Sequence, residues 1–315
     1  MNKKKNQWKA WLYLLPAIVI LAIFTVWPII NTIKLAFLNG YNYNQAVLYG
    51  DSYFKVGFQN FKDVFNPVGG FTNALTNTLI LTFLTVPIST MLALIIAVAL
   101  NSIKFVRRTM QTIFFMPYVT NSIAIGMVFM AMFAQIPSPT GGEPLSVGLV
   151  NSIIQAFGGN PINWVNAGST KVANMTVLIL YIVWNALPFK ILILLGGLQS
   201  VNKQYYDAAK VDGTSRFRTF WRITVPLLSP MIAYVVITGF IGGFKEYSSV
   251  VGIFGDSMAP ASDMRRSLDT MVGFIYSNIG TSQHGRASAA ALVLFVIIFA
   301  VTMVNMYVSK KKVHY

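Results

Sequence analysis

Long apolar stretches alternate with polar, basic or turn-forming connections along the whole chain of 315 residues. A helix needs about 20 mostly apolar residues to cross the hydrocarbon core of a bilayer, and six stretches reach that length. The pattern therefore predicts an all-α, polytopic membrane protein with six transmembrane helices. The predicted spans are residues 11–37, 75–100, 112–133, 172–198, 226–254 and 287–308. They form one transmembrane domain, residues 11–308, with tails at 1–10 and 309–315, and shorter helices are expected near 146–157 and 267–276.

Composition agrees with this pattern. The chain is 55% hydrophobic and 10% charged, whereas about a quarter of the residues of a soluble domain carry charge. Its 24 Lys and Arg outnumber its 9 Asp and Glu, and most of the basic residues lie in the two tails and in the connections after the second and fourth spans. Because loops rich in Lys and Arg stay in the cytoplasm, both termini are predicted to be cytoplasmic. The positive charge is then a topology signal with attraction to anionic lipid, and we expect no nucleic-acid partner.

The residue patterns of common catalytic and metal sites do not occur in this sequence. It has no cysteine, no Gly-x-x-x-x-Gly-Lys-Ser/Thr loop and no His-Glu-x-x-His pair. The only histidines, His284 and His314, lie near no Ser and Asp in an arrangement that suits a catalytic triad. We therefore expect a chain that is not an enzyme and that binds no metal and no cofactor. If it moves a solute uphill, the energy must come from another protein.

Charged and polar residues occur inside two of the predicted spans. Lys245 and Glu246 fall within the fifth span, where a charge at mid-depth costs at least about 2.5 kcal/mol unless it faces water or a partner. The two can neutralise each other, reach the outer surface, or face a cavity. Lys190 and Asn185 raise the same question in the fourth span, near Pro188, which frees a backbone carbonyl that a neighbouring helix or a cavity must satisfy.

One face of the fifth predicted helix carries four notable residues at helical spacing. They are Gly239, Gly243, Glu246 and Tyr247. The two glycines form a small-xxx-small pair, which more often indicates close packing of helices than a ligand site.

The connection between the fourth and fifth spans has the pattern of helix, turn and helix. Asp212 and Gly213 provide the turn, and residues 217–225 can resume as an amphipathic helix until Pro226 opens the next span. A solvated loop would not need the apolar side chains of Phe217, Phe220, Trp221 and Ile223. The pattern leaves two interpretations open: the segment lies on the membrane surface, or it docks against another protein.

Three motifs in this connection resemble the cytoplasmic loop of ATP-binding-cassette importer permeases. Asp207-Ala208-Ala209, Asp212-Gly213 and Ile223-Thr224-Val225-Pro226 match the Glu-Ala-Ala…Gly…Ile-x-x-Pro pattern of that family, with Asp207 one methylene shorter than the family's Glu. The resemblance implies a type I importer permease fold, in which residues 203–225 form coupling helices that sit in a groove of a separate ATPase. The residues that it implies for ATPase coupling are Tyr206, Asp207, Ala208, Ala209, Asp212, Gly213, Phe217, Ile223 and Pro226.

Further motifs are similar to the carbohydrate branch of that family, in particular to the maltose-type subunit that pairs with a second permease. They are Leu14-Leu15-Pro16, Val56-Gly57-Phe58-Gln59-Asn60-Phe61, Asn77-Thr78, Phe115-Met116-Pro117, Gly148-Leu149-Val150-Asn151, Leu198-Gln199-Ser200 and Gly285-Arg286-Ala287-Ser288-Ala289. The large extracytoplasmic insertion and the extra N-terminal spans of the enterobacterial maltose subunit are absent. The resemblance implies a bacterial inner-membrane heterodimer with a homologous permease, two ATPase subunits that bind ATP and Mg, and an extracytoplasmic sugar-binding protein.

A sugar cavity needs amides, hydroxyls and aromatic rings, because sugars present hydroxyls and apolar ring faces. Resemblance to the sugar-contacting positions of the maltose subunit implies a path formed by Asn185, Ala186, Phe189, Gly239 and Gly243. The charge argument adds Glu246 and Tyr247, and the residues after Pro117 add Tyr118 and Asn121.

Two alternatives to a sugar importer stay open. One is an importer of another solute, such as glycerol phosphate or an amino acid; a phosphate would need a positive cavity, to which Lys190 and Lys245 could contribute. The other is a channel or carrier that works without ATPases.

Overall fold

The computed structural model describes residues 7–66, 69–103, 109, 112–113, 116, 118–136, 146–166, 168–255 and 267–312. Helices make up nearly all the regular structure of these residues, which confirms the predicted all-α class. In chain order they are α1 (Gln7–Leu21), α2 (Trp27–Ala36), α3 (Tyr43–Tyr49), α4 (Gln59–Val64), α5 (Phe71–Ser102), α6 (Ser122–Phe133), α7 (Leu149–Ala156), α8 (Lys171–Ser200), α9 (Lys203–Val211), α10 (Arg216–Thr219), α11 (Val225–Leu227), α12 (Ser229–Phe244), α13 (Ser248–Phe254), α14 (Met271–Gly280) and α15 (His284–Lys312). Strands of two residues, Gln135–Ile136 and Ser146–Val147, pair antiparallel between α6 and α7.

Four helical segments of the described residues are long and apolar enough to cross a membrane. They are Trp11–Ala36, Phe71–Ser102, Lys171–Ser200 and His284–Lys311, and they correspond to the first, second, fourth and sixth predicted spans. The first of them joins α1 to α2 through a π-helical turn, Ala22–Val26, and its most apolar part is exposed on all sides, as a lipid-facing helix would be. A fifth span is obtained if Arg216–Leu227 and Ser229–Phe244, which meet at 69°, are counted together.

The third predicted span is helical over α6, and several residues between 104 and 117 lie outside the described part. Among them are Phe115 and Pro117 of the Phe115-Met116-Pro117 motif. The described residues therefore contain four spans, or five with the bent pair, and the count of six stays a prediction. The two shorter helices expected in the connections correspond to α7 and α14, which begin a few residues later than predicted.

The fifth predicted span, residues 226–254, is wrong at both ends. Pro226 lies inside the helical segment Arg216–Leu227, and the new helix starts after a bend at Leu228, with Pro230 in its first turn where no N–H is required. The helix then ends at Phe244, and α13 begins only at Ser248. Lys245 and Glu246 therefore lie in the break between two helices and not in the interior of one.

The chain divides into two compact units, residues 72–274 with 294–315 and residues 1–71 with 275–293. In the larger unit, α6 and α13 cross backbone to backbone, because both helices have a glycine at the crossing. A Cβ atom on Gly126 would lie 2.7 Å from the Cα of Gly252. Tyr181 and Leu178 of α8 belong to the buried cluster around this crossing.

In the smaller unit, one buried amide fastens the end of the first span. Nδ2 of Asn60 donates to the carbonyls of Leu35, Ala36 and Leu38 at 3.3, 3.0 and 2.7 Å, and its Oδ1 accepts from the N–H of Gly40 at 3.1 Å. Carbonyls at a helix C-terminus have no partner within the helix, and this side chain supplies one for Ala36 and adds to the backbone bonds that Leu35 and Leu38 accept.

An ion pair near the same end is open to solvent. Nζ of Lys34 lies 2.6 Å from Oδ2 of Asp51, and the hydroxyl of Tyr41 donates to Oδ1 at 3.2 Å. The hydrogen bond from Lys34 holds the pKa of the Asp51 carboxyl below its ordinary value. Burial, reinforced by the Asp51 charge, raises the pKa of Tyr41.

Candidate functional site

A cavity of about 340 Å³ lies among α5, α8 and α12 in the larger unit. We call it the central cavity. It is lined by Thr85, Val86, Ser89, Tyr118, Ser122, Ile182, Asn185, Ala186, Phe189, Lys190, Val235, Thr238, Gly239, Gly242, Gly243 and Glu246. Its volume lies within the usual range for small-molecule sites, and its wall combines apolar side chains with a few polar groups.

Lys190 is held in the cavity wall by hydrogen bonds to α5. Its side chain is 4% exposed, and its Nζ donates to the Val86 carbonyl at 3.2 Å, to Ser89 Oγ at 2.7 Å and to Thr90 Oγ1 at 2.9 Å. No carboxylate of the described residues lies within 4 Å of it. A buried ammonium without a counter-ion is tolerated here because all three of its protons meet oxygen atoms.

Glu246 is the acidic group of the cavity, and its carboxylate is also occupied. Oε1 accepts from the N–H of Tyr247 at 3.1 Å, from the N–H of Ser249 at 3.1 Å and from the hydroxyl of Ser249 at 2.7 Å. It thereby satisfies donors at the start of α13, where a negative charge is favourable. Lys245 next to it is exposed, and the described residues show no ion pair between the two. Of the three interpretations left open for these residues, the described structure agrees with a cavity-facing Glu246, which also caps α13.

The glycines of α12 set how closely that helix approaches α5. A Cβ on Gly243 would lie 2.9 Å from Thr82 Cγ2, and one on Gly239 would lie 3.1 Å from Val86 Cγ1 and 3.3 Å from Lys190 Nζ. The pair is thus a helix-contact device, as small-xxx-small pairs usually are. It also leaves room for the Lys190 ammonium.

Aromatic rings stand on one side of the cavity. The ring of Tyr118 stacks on Phe189 with centroids 5.8 Å apart and planes at 18°, and Tyr234 follows at 6.4 Å from Phe189. Tyr118 and Tyr234 are about half exposed. Such a stack offers a flat apolar face with polar hydroxyl edges.

The central cavity brings together seven of the nine residues that the sequence suggested for a substrate path. They are Asn185, Ala186, Phe189, Gly239, Gly243, Glu246 and Tyr118. Asn121 and Tyr247 are not among its lining residues. Oδ1 of Asn121 accepts from the N–H groups of Ile123 and Ala124 and caps α6, whereas Tyr247 precedes α13 in the break of the fifth span. The single helical face proposed for Gly239, Gly243, Glu246 and Tyr247 does not form, because α12 ends at Phe244.

Sequence reasoning missed the hydroxyl face of α5. Thr78, Thr82, Thr85 and Ser89 are all buried, and their spacing of four, three and four residues places them on one side of the helix. That spacing can be recognised in the sequence alone. It would have identified the side of the second span that carries the polar partners of the cavity.

A second candidate site is the segment of residues 203–227, which we call the elbow. It begins with α9 and turns at Gly213, whose φ is +64°. The N–H of Gly213 donates to the Lys210 carbonyl at 3.1 Å, and the N–H of Thr214 donates to the Ala209 carbonyl at 2.9 Å. This pair of bonds is a Schellman motif, which needs a left-handed residue and therefore favours glycine. The predicted turn is thus a rigid helix end.

After the turn, the elbow continues as one helical segment, Arg216–Leu227, with a π-helical stretch at Phe220–Thr224. Oγ of Ser215 accepts from the N–H of Arg218 and caps its start. The hydroxyls of Tyr206 and Thr224 lie 3.4 Å apart and connect the two arms. Ala209, in the first arm, is buried.

Large apolar side chains of the elbow are exposed. Val211 is 87% and Phe217 is 75% exposed, and Tyr205 and Trp221 are about half exposed. Val211 was not among the predicted coupling residues, although its position beside the turn makes it the most exposed apolar side chain of the elbow. Asp207, also exposed, lies 3.4 Å from Lys210.

The remaining predicted coupling residues divide by exposure. Ala208, Asp212 and Gly213 are exposed, and Tyr206, Ile223 and Pro226 are half-buried. The accessible part of the elbow is therefore the turn and the start of its second arm.

Comparison with known proteins gives a consistent result. Residues 89–314 match the family model of the binding-protein-dependent transport system inner membrane component. The chain is 30% identical over 302 residues to the arabinooligosaccharides transport system permease protein AraP of Bacillus subtilis, covering 95% of this chain and 88% of that one. It is 29% identical to the lactose transport system permease protein LacF of Rhizobium radiobacter, covering 94% and 91%. It is 26% identical to the multiple sugar-binding transport system permease protein MsmF of Streptococcus mutans, covering 99% and 98%.

Solved structures show the same fold. A bacterial ABC transporter involved in the import of the acidic polysaccharide alginate superposes with a TM-score of 0.75 at 21% identity, covering 98% of this chain and 96% of that one. The bacterial alginate transporter in complex with a periplasmic protein bound to an alginate pentasaccharide gives a TM-score of 0.77 with the same coverage.

Proposed function

The chain belongs to the family of binding-protein-dependent transport system inner membrane components, and on this basis we propose that it is one permease subunit of an ATP-driven sugar importer. Its cargo would be a sugar or oligosaccharide delivered by an extracytoplasmic binding protein. The energy would come from separate ATPase subunits that bind ATP and Mg. A second, homologous permease would complete the membrane part.

The observation that carries this proposal is the exposed apolar surface of the elbow. Val211 and Phe217 project from two helices that the Gly213 turn and the Tyr206–Thr224 contact hold in place. Fully burying a side chain of this size contributes about 1.5–3 kcal/mol, so a protein that covers both would gain substantial affinity. A rigid elbow would also transmit movement of such a partner to α12, which follows it directly. We assign the elbow as the seat of the ATPase.

The central cavity supports a carbohydrate as cargo. The stacked rings of Tyr118 and Phe189 suit the apolar face of a sugar ring, and the amide of Asn185 suits its hydroxyls. The relatives named above are described as permeases for arabinooligosaccharides, lactose and multiple sugars. A phosphate-bearing cargo fits less well, because Lys190 shares the wall with Glu246 and Lys245 is not part of it.

The distribution of basic residues supports a topology with both termini in the cytoplasm. The elbow contains Lys203, Lys210, Arg216, Arg218 and Arg222, and segments this rich in basic residues stay on the cytoplasmic side. That side is where ATP is available. We therefore place the protein in a bacterial inner membrane, with the elbow inside the cell.

Reconstitution tests the proposal. The chain is co-expressed with a candidate ATPase and a candidate second permease from the same organism and purified by a tag on this chain alone. ATP-dependent uptake is then assayed in liposomes with the binding protein present. We expect the ATPase to co-purify and uptake to require ATP. The matched control is the Val211→Asp/Phe217→Asp double variant, which should insert normally but lose the ATPase. Transport by the wild-type chain alone, without an ATPase, would refute the proposal.

A further inference from the structure

The smaller unit contains a cavity of about 520 Å³ that the proposed mechanism does not use. We call it the polar cavity. Its wall includes Gln45, Asp63, Gln283 and Arg286, together with the buried Asn60 that fastens the first span. The cavity therefore joins two motifs from opposite ends of the sequence, one around Asn60 and one around Arg286.

Arg286 is held in the wall by the backbone of a glycine. Its Nη2 donates to the Gly69 carbonyl at 3.2 Å, and a Cβ on Gly69 would collide with the guanidinium. Any other residue at position 69 would require the guanidinium to move. The arginine is thus positioned across the backbone of residue 69 and forms part of the cavity wall.

Several polar groups of the wall remain available for a ligand. Within the described part of the chain, the side-chain amides of Gln45 and Gln283 have no hydrogen-bond partner. Oδ1 of Asp63 accepts a hydrogen bond from Gln59 Nε2 at 2.8 Å, and its Oδ2 accepts none within the described residues. A carboxylate accepts, a guanidinium donates, and an amide does both. This combination matches neighbouring hydroxyl groups, each of which donates and accepts.

A second cavity of about 440 Å³ adjoins the first and shares Gly40 and Gln45 with it. It adds Tyr53, whose ring is exposed, and Lys55. Gly40, whose φ is +64°, lies in the wall of both cavities and has no side chain. We call the two together the groove; it is larger than a single ion requires, and most of its lining residues are polar.

We propose that this groove is a binding site for a saccharide of at least two units, separate from the central cavity. One unit lies between Asp63, Gln283 and Arg286, and the next passes Gln45 toward the ring of Tyr53. The choice of a saccharide rests on the proposed function, and the proposed topology opens the groove on the extracytoplasmic side.

The test is sugar binding to the complex in lipid nanodiscs without the binding protein. Lactose, trehalose and arabinotriose are the probes, and saturation-transfer difference NMR is the readout. Gln45→Ala and Gln283→Ala remove amides that support nothing else in the described structure, so the fold should be kept. Each should weaken binding about fivefold, the loss expected for one hydrogen bond. Asn44→Ala, an exposed amide beside the groove, is the matched control and should leave binding unchanged.

Two further variants separate this site from others. Asp63→Asn keeps the size of the side chain and should also weaken binding. Gln45→Ala should weaken binding by the same factor in an Asn185→Ala background, because the two residues line different cavities. The inference is overturned if none of the three sugars binds, or if binding is insensitive to positions 45, 63 and 283. Co-purification of the ATPase is measured on the same samples. That result tests the proposed function alone, because no groove residue belongs to the elbow.

Discussion

The central cavity and the elbow lie in the same compact unit, and their solvent exposure is opposite to what their residue types suggest. In the cavity wall, a charged side chain is buried: Lys190 is 4% exposed and donates to three oxygen atoms of α5. In the elbow, apolar side chains are exposed: Val211 is 87% exposed and Phe217 is 75% exposed. The charge of the cavity is satisfied within the chain, whereas the apolar surface of the elbow is not.

This difference indicates which part of the molecule needs a partner. A buried charge is costly unless every polar atom is paired, and here the pairing is internal. An exposed apolar patch is typical of a surface that binds another protein or a membrane, and we propose a protein for the elbow. The cavity can therefore be tested by stability measurements on this chain, and the elbow by measurements of assembly.

The largest expected effect comes from breaking the turn of the elbow. In Gly213→Pro, the ring cannot adopt a φ of +64°, and the N–H that bonds to the Lys210 carbonyl is lost. We expect uptake and ATPase stimulation in proteoliposomes to be abolished, with normal membrane insertion. Gly213→Asn, which tolerates the left-handed region, is the control and should retain most of the activity. Normal uptake by the proline variant would remove the elbow from the mechanism.

Truncation of the exposed ring of the elbow should weaken assembly without affecting the fold. Phe217→Ala removes apolar surface worth about 2 kcal/mol if a partner buries it, which corresponds to roughly thirtyfold weaker ATPase binding. Phe157→Ala is a matched control, because Phe157 is 88% exposed at the end of α7. Microscale thermophoresis measures the affinity of each variant for the purified ATPase. Equal affinities would show that the exposed ring of Phe217 is not a contact.

Substitution of the buried Lys190 should affect the stability of the chain rather than its assembly with the ATPase. Lys190→Met removes the hydrogen bonds that the ammonium donates to the Val86 carbonyl and to the hydroxyls of Ser89 and Thr90, and we expect a loss of about 1–3 kcal/mol in stability. The control is Lys245→Met, at an exposed lysine in the break of the fifth span. Thermal unfolding of the detergent-solubilised chain measures both. A variant at 190 as stable as the control would show that the ammonium is not held as described.

The smallest effect is expected at the solvent-exposed ion pair. Asp51→Asn should cost less than about 1 kcal/mol at neutral pH, because exposed pairs are weak. The pKa of Asp51 is lowered in the folded state, so its contribution is present above the unfolded value of about 3.9 and is lost as the pH falls through the lower folded value. Wild type and variant should therefore converge in acid. A difference that grows on acidification would contradict the assignment.

The features most predictable from sequence were those set by local patterns. Four apolar windows, the turn at Gly213 and the contact role of Gly239 and Gly243 follow from spacing and backbone chemistry alone. The end of α12 at Phe244 was not predictable from hydropathy, because the apolar stretch continues to Phe254 while the Glu246 carboxylate starts a new helix. The hydropathy of a stretch does not indicate where a side chain caps the start of a new helix.

Contacts between distant segments were also beyond local reasoning. Lys190 was recognised as unusual, but its partners on α5 are about 100 residues away. The joining of Asn60 with the segment around Arg286 in the smaller unit has the same origin. Both arise from packing between segments that are far apart in the chain, and no local pattern of residues predicts such packing.

The central claim, that a separate ATPase covers the elbow, is tested most directly by cysteine labelling. The natural chain has no cysteine, so Val211→Cys and Phe217→Cys each provide a single reactive site. A membrane-impermeant maleimide is applied to the purified chain alone and to the chain assembled with the ATPase. We predict rapid labelling of the chain alone and strong protection in the assembly, with Phe157→Cys labelled equally in both. Equal labelling of positions 211 and 217 in both samples would contradict the account.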